Sequence, residues 1–199
     1  MFKIEKLPKS LPYKYFLNLY EEAHKENQQT IDVMVVSSFS KQLNQTHSRY
    51  VNLKIVKNGE FIFFSNYEGQ KARDFRDNNR ISCLLYWNKI DTQIRMNGTI
   101  KKTSTEFSNK YFNERERDKN ILAISSNQSK KIKSYDNVLE NYKKIEKNKN
   151  KLRRPSYWGG YTFRPFYFEF WQGHSSRLNK RQVFEMNKNK RWTKYFLEP

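Results

Sequence analysis

Between residues 32 and 101 the sequence places short β-rich runs beside tight-turn signals, and this pattern limits the possible folds more than any other feature. Val51, Leu53 and Ile55 alternate with more polar side chains, which is typical of a strand with one apolar face. Asn58-Gly59 favours a hairpin turn after that strand. The pattern predicts strands over residues 32–39, 47–55, 60–66, 80–87 and 92–101. Short strands joined by tight turns favour an antiparallel sheet or a small barrel.

Helical patterns flank these runs. Tyr13, Leu17, Tyr20 and Ala23 recur near helical spacing and predict a helix over residues 13–26. Two further helices are predicted over residues 69–78 and 103–115; the second would open with a capping box formed by Thr103 and Glu106.

The last third of the chain predicts another helix and a return to strands. A helix over residues 134–146 would carry its apolar side chains on a buried side; these are Val138, Leu139, Tyr142 and Ile145. Residues 147–154 are predicted to form an exposed linker, and residues 161–170 and 181–196 to form aromatic-rich strands. The fold class that follows is α+β, mainly β, organised as a barrel with flanking helices.

Composition adds limits on class and location. A chain of 199 residues is expected to form one domain, and its 32 aromatic residues are far too many for a disordered chain. It contains no apolar run of the roughly 18 residues needed to cross a bilayer. The first residues lack the apolar stretch of a signal peptide, and the single Cys83 fits a reducing compartment, so we expect a cytoplasmic protein.

The net charge of +19 has two interpretations. It could attract anions, from nucleic acid to small phosphate esters. It could instead reflect a surface rich in lysine and asparagine, which we favour because the basic residues form no regular stripe.

Residues for metal or hydrolytic chemistry are not grouped in the sequence. His24, His47 and His174 are scattered, and no Gly-rich nucleotide loop or nucleophile elbow is present. Cys83 lies in a predicted buried strand, where a cysteine is usually inert. If the chain is an enzyme, a cofactor is expected to carry the difficult step.

Four groups of residues could hold a phosphorylated ligand, although each is also compatible with ordinary surface or core. Arg49 and Lys54 have an odd spacing on one strand, which directs them to opposite faces. Ser65 precedes Lys71 at the start of a predicted helix, where an anion is favoured. Tyr111 shares a predicted helical face with Arg115, and Lys119 would extend that face if the helix continued.

The fourth group spans residues 158–181. The WGGY stretch at 158–161 is predicted to be a flexible turn between aromatic residues. Downstream, Trp171 with Arg177 and Arg181 could frame a flat, anionic ring.

The WGGY stretch and the EFWQG–RL–R pattern of residues 169–181 resemble the pyridoxine/pyridoxamine 5'-phosphate oxidase family. The resemblance runs from about residue 32 to 199 and implies an FMN-binding split β-barrel, a homodimer with flavin at the subunit interface. Residues 1–30 would be an N-terminal helical segment, and residues 31–199 the oxidase domain with its C-terminal dimerisation region.

The resemblance also assigns site residues position by position. The implied FMN-binding residues are Arg49, Tyr50, Val51, Asn52, Leu53, Lys54, Phe64, Ser65, Gln70, Lys71, Gln93, Gln128, Ser129, Trp171 and Arg181. The implied substrate-binding residues are Lys54, Tyr111, Arg115, Lys119, Arg177 and Asn179. Arg177 and Asn179 occupy the catalytic positions, and no metal is implied.

Four positions depart from the family pattern. Asn179 stands in place of a histidine and can hydrogen-bond but cannot carry a proton's charge. Lys119 replaces a phosphate-binding serine, Gln70 stands where a flavin-phosphate arginine is common, and Thr92 replaces the arginine before Gln93.

Three functions follow as hypotheses. The first is FMN-dependent oxidation of pyridoxamine or pyridoxine 5'-phosphate to pyridoxal 5'-phosphate, with O2 as electron acceptor and H2O2 as product. The second, motivated by Asn179 and Lys119, is a related oxidase acting on another ring, such as a phenazine precursor. The third is a non-catalytic protein that binds flavin or nucleic acid. The first expects a small phosphorylated pyridine, O2 and a second copy of the chain as partners, without membrane or nucleic acid.

Overall fold

The structure is a computed structural model that describes residues 1–147, 150 and 152–199. Its strands are β1 (Lys3–Glu5), β2 (Val33–Ser40), β3 (Gln45–Lys57), β4 (Glu60–Asn66), β5 (Arg80–Trp87), β6 (Thr92–Lys102), β7 (Trp158–Gln172), β8 (Lys180–Met186) and β9 (Trp192–Leu197). Its helices are α1 (Leu11–Lys25), α2 (Gln70–Asp77), α3 (Thr105–Glu114), α4 (Arg117–Ser125) and α5 (Tyr135–Glu146). None of the helices in these described residues is long and apolar enough to cross a membrane.

Six antiparallel strands close into a barrel. The order β3-β2-β5-β6-β7 is completed by β4, which pairs with both β7 and β3. Strands β8 and β9 extend the sheet from β7 beyond the barrel, and the short β1 runs parallel to β3. The predicted mainly-β barrel with flanking helices is confirmed.

Strand β7 belongs to the barrel and to the extension. Its first half pairs with β4, as at Gly160 opposite Phe64, and its second half pairs with β8, as at Trp171 opposite Arg181. It also pairs with β6 along most of its length. One strand therefore connects the two parts of the molecule.

The barrel interior is packed with aromatic rings. Phe16 of α1 enters this core and meets Phe61 at 5.1 Å between ring centroids, and Phe61 lies 6.3 Å from Phe163. All three side chains are fully buried. Burying one such side chain contributes about 2 kcal/mol, so α1 is held firmly on the barrel.

The prediction of a flexible turn at WGGY is wrong, because these residues lie inside β7. The glycines are needed for close packing. A Cβ on Gly159 would lie 2.2 Å from the Tyr67 hydroxyl, and one on Gly160 would lie 2.6 Å from Thr103 Oγ1. Glycine inside a strand commonly marks such a close approach.

The predicted bounds of the third helix need two corrections. Ser104, and not Thr103, caps α3 by accepting a hydrogen bond from the Phe107 amide at 3.1 Å. Thr103 lies too close to β7 to cap, and its hydroxyl contacts the Gly160 carbonyl. The helix ends at Glu114, so it does not continue to Lys119 as one element.

The predicted buried side of the helix at 134–146 is also wrong. No residue of α5, every one of which the structure describes, is buried, and Leu139 is 43% exposed. The reason is that α5 packs mainly against α4 and lies outside the core. The linker predicted over 147–154 includes residues 148, 149 and 151, which lie outside the described residues.

Candidate functional site

A buried lysine lies beside the start of α2. Lys71 is only 9% exposed, and its Nζ donates to Ser65 Oγ at 2.9 Å and to Gln128 Oε1 at 3.1 Å. Among the described residues no carboxylate forms an ion pair with it. The structure thus brings Ser65, Lys71 and Gln128 together, although Gln128 is distant in sequence.

The electrostatics of Lys71 point to an anion as its missing partner. Burial and the nearby positive charge of Arg49 lower the pKa of Lys71 to about 8. An ammonium without a counter-ion is costly to bury, and an anion between Lys71 and Arg49 would reduce that cost. The N-terminus of α2, which begins after Gly69, favours negative charge in the same place.

Arg49 is held in this position by its neighbours. Its Nη1 donates to Ser38 Oγ at 2.7 Å, and its Nη2 lies 3.4 Å from Asp74 Oδ2. Gln70 also turns toward Asp74, at 3.0 Å. Ser129 is exposed with a left-handed φ of 70°, and its hydroxyl lies close to Gly69.

The remaining residues of the predicted flavin strand have different surroundings. Tyr50 is 75% exposed, whereas Leu53 is fully buried. Val51 is partly buried and Asn52 is exposed. Lys54 lies 3.0 Å from Asp32 and so has a different acidic partner from Arg49, which contacts Asp74.

An aromatic stack forms around Phe64 of β4. Phe64, which precedes Ser65, stacks on Tyr111 with ring centroids 3.6 Å apart and on Trp158 at 5.3 Å. Arg115 lies over the Trp158 ring at 4.9 Å. Burial raises the pKa of Tyr111 and lowers that of Arg115, so a guanidinium and a phenol share a half-buried surface.

Tyr111 and Arg115 therefore remain close although Arg115 lies just beyond the end of α3. The chain turns back, and Arg115 Nη1 donates to the Lys119 carbonyl at 2.9 Å. The Lys119 side chain is exposed and pairs with Glu116 at 2.8 Å. Lys119 thus adds its backbone, and not its ammonium, to this group.

A second cluster lies where β6, β7 and β8 meet. Glu169, 1% exposed, binds Arg181 at 2.8 Å and Arg95 at 3.3 Å. Two residues along β7 from Glu169, Trp171 lies opposite Gln93 of β6 on one side and opposite Arg181 of β8 on the other. The predicted flavin contact Arg181 is therefore fixed by a buried carboxylate, and Gln93 and Trp171 lie beside it in strand register.

Arg177 and Asn179 lie in the loop between β7 and β8. Arg177 is exposed and has a left-handed φ of 60°. Asn179 Oδ1 accepts a hydrogen bond from the His174 amide at 3.1 Å. The asparagine therefore shapes this loop in the protomer.

Two half-sites result, one around Lys71 and Arg49 and the other around Glu169 and Arg181. Within the described residues, no hydrogen bond, ion pair or ring contact joins the two half-sites. Asp74 and Glu169, the buried carboxylates that organise the arginines, are not among the site residues predicted from the sequence. Spacing offered a signal for each: Asp74 follows Gln70 by one helical turn, and Glu169 precedes Trp171 by two residues on one strand face. His47, dismissed as scattered, contacts Asp74 at 3.2 Å.

Family models match most of the chain. One described as "Pyridoxamine 5'-phosphate oxidase" matches residues 20–147, and one described as "Pyridoxine 5'-phosphate oxidase C-terminal dimerisation region" matches residues 158–199.

Individual proteins are similar over nearly the whole length. A pyridoxine/pyridoxamine 5'-phosphate oxidase of Colwellia psychrerythraea is 34% identical over 94% of this chain and 87% of its own. One of Hydrogenovibrio crunogenus is 37% identical over 89% of this chain and 83% of its own.

Solved structures share the fold. PhzG from Burkholderia lata, in complex with tetrahydrophenazine-1-carboxylic acid, has a TM-score of 0.90 at 21% identity, covering 96% of this chain and 94% of its own. A pyridoxamine 5'-phosphate oxidase-related, FMN-binding protein from Nostoc punctiforme has a TM-score of 0.78 at 10% identity, covering 96% and 100%.

Proposed function

The chain belongs to the pyridoxine/pyridoxamine 5'-phosphate oxidase family, and from that premise we propose that it oxidises pyridoxamine or pyridoxine 5'-phosphate to pyridoxal 5'-phosphate with bound FMN. The observation that carries the proposal is Lys71, a buried ammonium beside Arg49 without a carboxylate partner among the described residues. Such a pair of cations suits the phosphate of a flavin mononucleotide.

The donor set around Lys71 fits FMN. Ser65 and Gln128 supply polar side chains next to Lys71, and Arg49 supplies a planar guanidinium that can donate two hydrogen bonds to phosphate oxygens. We assign FMN binding to the residues predicted from the sequence: Arg49, Tyr50, Val51, Asn52, Leu53, Lys54, Phe64, Ser65, Gln70, Lys71, Gln93, Gln128, Ser129, Trp171 and Arg181.

The substrate phosphate would be held by Tyr111 and Arg115. Their half-buried surface offers a hydroxyl donor and a guanidinium with a lowered pKa, which an anion would compensate. Lys54 would reach the same phosphate from β3 after exchanging its contact with Asp32. Arg177 and Asn179 would contact the ring from the loop after β7.

The protein's contribution is to orient and shield the reactants. Bound FMN would supply the two-electron oxidation at the substrate's C4' carbon, and O2 would accept those electrons to give H2O2. With pyridoxamine 5'-phosphate, water would also be consumed and the amino group released as ammonia. Arg177 would press the pyridine ring into place, and the fixed phosphate would set the distance between the ring and the flavin. Asn179 can donate or accept a hydrogen bond at the ring, but its amide cannot act as a general acid or base.

A homodimer would complete the site. Among the residues that the structure describes, no hydrogen bond, ion pair or ring contact joins the half-site around Lys71 to the half-site around Arg181, and residues 158–199 match a dimerisation region. The half-sites of two copies could then enclose one flavin between them.

The decisive experiment is the absorbance spectrum of the purified protein, followed by anaerobic addition of pyridoxamine 5'-phosphate. We expect a flavin spectrum that bleaches on addition and returns with air, and pyridoxal 5'-phosphate as product. Bound FMN that is bleached neither by pyridoxamine 5'-phosphate nor by pyridoxine 5'-phosphate would contradict the proposed substrate. A protein that does not bind FMN would contradict the whole proposal.

A second candidate is an oxidase of the same family acting on a different ring. It is favoured by two substrate-side observations: Asn179 is engaged with the His174 amide, and Lys119 is paired with Glu116. Anaerobic bleaching by a dihydrophenazine carboxylate, with no response to pyridoxamine 5'-phosphate, would support it over the first.

A further inference from the structure

Asp74 is a buried carboxylate with an unusually complete set of donors. It is 1% exposed, and its Oδ2 contacts Ser38 Oγ at 2.7 Å, His47 Nδ1 at 3.2 Å and Arg49 Nη2 at 3.4 Å. Its Oδ1 accepts from Gln70 at 3.0 Å. Three of these donors share Oδ2 and one binds Oδ1, so both oxygens of the carboxylate have hydrogen-bond partners.

The carboxylate stays charged in this setting. Burial alone would raise the pKa of Asp74, but the hydrogen bonds from Ser38, Gln70 and His47 together lower it below its ordinary value. An anionic side chain therefore lies one helical turn from Lys71, in a region that also attracts an external anion. Its presence there requires a reason.

The reason lies in the orientation of Arg49. The guanidinium is held from one side by Asp74 and Ser38 and by the Val36 carbonyl, at 3.4, 2.7 and 3.4 Å. These contacts involve Nη1 and Nη2 and fix the plane of the fork. A fixed fork binds phosphate with less loss of conformational entropy than a mobile one.

We propose that Asp74 is a positioning residue that fixes Arg49 beside Lys71 and thereby makes the site prefer a phosphorylated flavin over an unphosphorylated one. The inference rests on the proposed function, since it takes FMN as the ligand. It assigns Asp74 no contact with the flavin itself.

Positioning and simple charge make opposite predictions. If only charge mattered, removing the anion in Asp74→Asn would strengthen phosphate binding. If Asp74 positions Arg49, the same change weakens FMN binding by about tenfold, which is the effect of losing one charge-assisted hydrogen bond. Binding of riboflavin, which has no phosphate, should stay nearly unchanged.

The experiment is a titration of apoprotein with FMN and with riboflavin, followed by quenching of flavin fluorescence. The ratio of the two dissociation constants is the readout, because a loss of folding would weaken both ligands equally. Asp77→Asn is the matched control, since Asp77 lies on the same helix and is exposed. Unchanged or tighter FMN binding, or an equal loss for both flavins, would overturn the inference.

Two further variants keep the test decisive. In an Arg49→Met background, Asp74→Asn should cause little additional loss, because its effect passes through Arg49. If Asp74→Asn does not fold, Ser38→Ala removes a contact to both Asp74 and Arg49 and should shift the ratio the same way. Wild-type protein that does not bind FMN would refute the proposed function, whereas FMN binding with an unaltered ratio would refute only the role of Asp74.

Discussion

Replacing Lys71 by methionine should weaken FMN binding and, at the same time, stabilise the apoprotein. The pKa of Lys71 is about 8 against an ordinary value of 10.5. At about 1.4 kcal/mol per pKa unit, keeping this ammonium charged costs the folded apoprotein roughly 3 kcal/mol. Methionine has a similar length and no charge, so Lys71→Met should recover a large part of that amount.

The sign of the pH dependence follows from the direction of the shift. Because the pKa of Lys71 is lower in the folded apoprotein than in the unfolded chain, the unfolded chain binds more protons between pH 8 and 10.5. The destabilisation is therefore complete below pH 8 and disappears as the pH rises to about 10.5. Urea unfolding of wild-type and Lys71→Met apoprotein should differ most near neutral pH and converge at high pH.

FMN binding should show the complementary behaviour. The phosphate dianion favours protonated Lys71, so the dissociation constant should rise by up to about tenfold for each pH unit above 8. Fluorescence titrations in Lys71→Met should lack this slope, and Lys101→Met, a change at an exposed lysine of β6, should retain it. A wild-type dissociation constant that is flat from pH 7 to 9.5, or a variant no more stable than wild type, would refute the assignment of Lys71 as an uncompensated buried cation.

Three other changes test separate parts of the structure. Gly160→Ala places a Cβ 2.6 Å from Thr103 Oγ1 and should lower the free energy of unfolding by about 1–3 kcal/mol in urea titrations; an unaltered midpoint would contradict the close approach. Glu169→Gln leaves Arg181 without its buried counter-charge and should cost about 3 kcal/mol in the same assay, so a neutral effect would count against the pair. Tyr111→Phe keeps the ring but removes the hydroxyl, and should raise KM for pyridoxamine 5'-phosphate about fivefold with little change in kcat; a loss confined to kcat would exclude a role in phosphate binding.

The sequence predicted the barrel strands well because their signals are local. Both ends of β4 and β5 agree with the predicted ranges, since the runs of apolar and aromatic residues stop where the turns begin. The three-residue β1 was missed, because a strand so short has no period to detect. The amphipathic pattern of α5 correctly predicted a helix but could not tell what, if anything, covers its apolar side.

The candidate site was predictable where its residues are close in sequence. Ser65 and Lys71 are six residues apart, and the structure brings them to 2.9 Å. Gln128 could be placed only by resemblance, because a loop after α4 returns it to Lys71. The role of Glu169 depends on which strand pairs with β7, and a single sequence does not contain that register.

The double membership of β7 has a consequence for synthesis of the chain. Until β7 has left the ribosome, β4 and β6 each have one unpaired edge, so the nascent chain presents an open sheet. Open edges are prone to intermolecular pairing. The barrel therefore closes only near the end of translation, and products of premature termination before residue 158 are expected to need chaperones or degradation rather than to persist as a smaller folded protein.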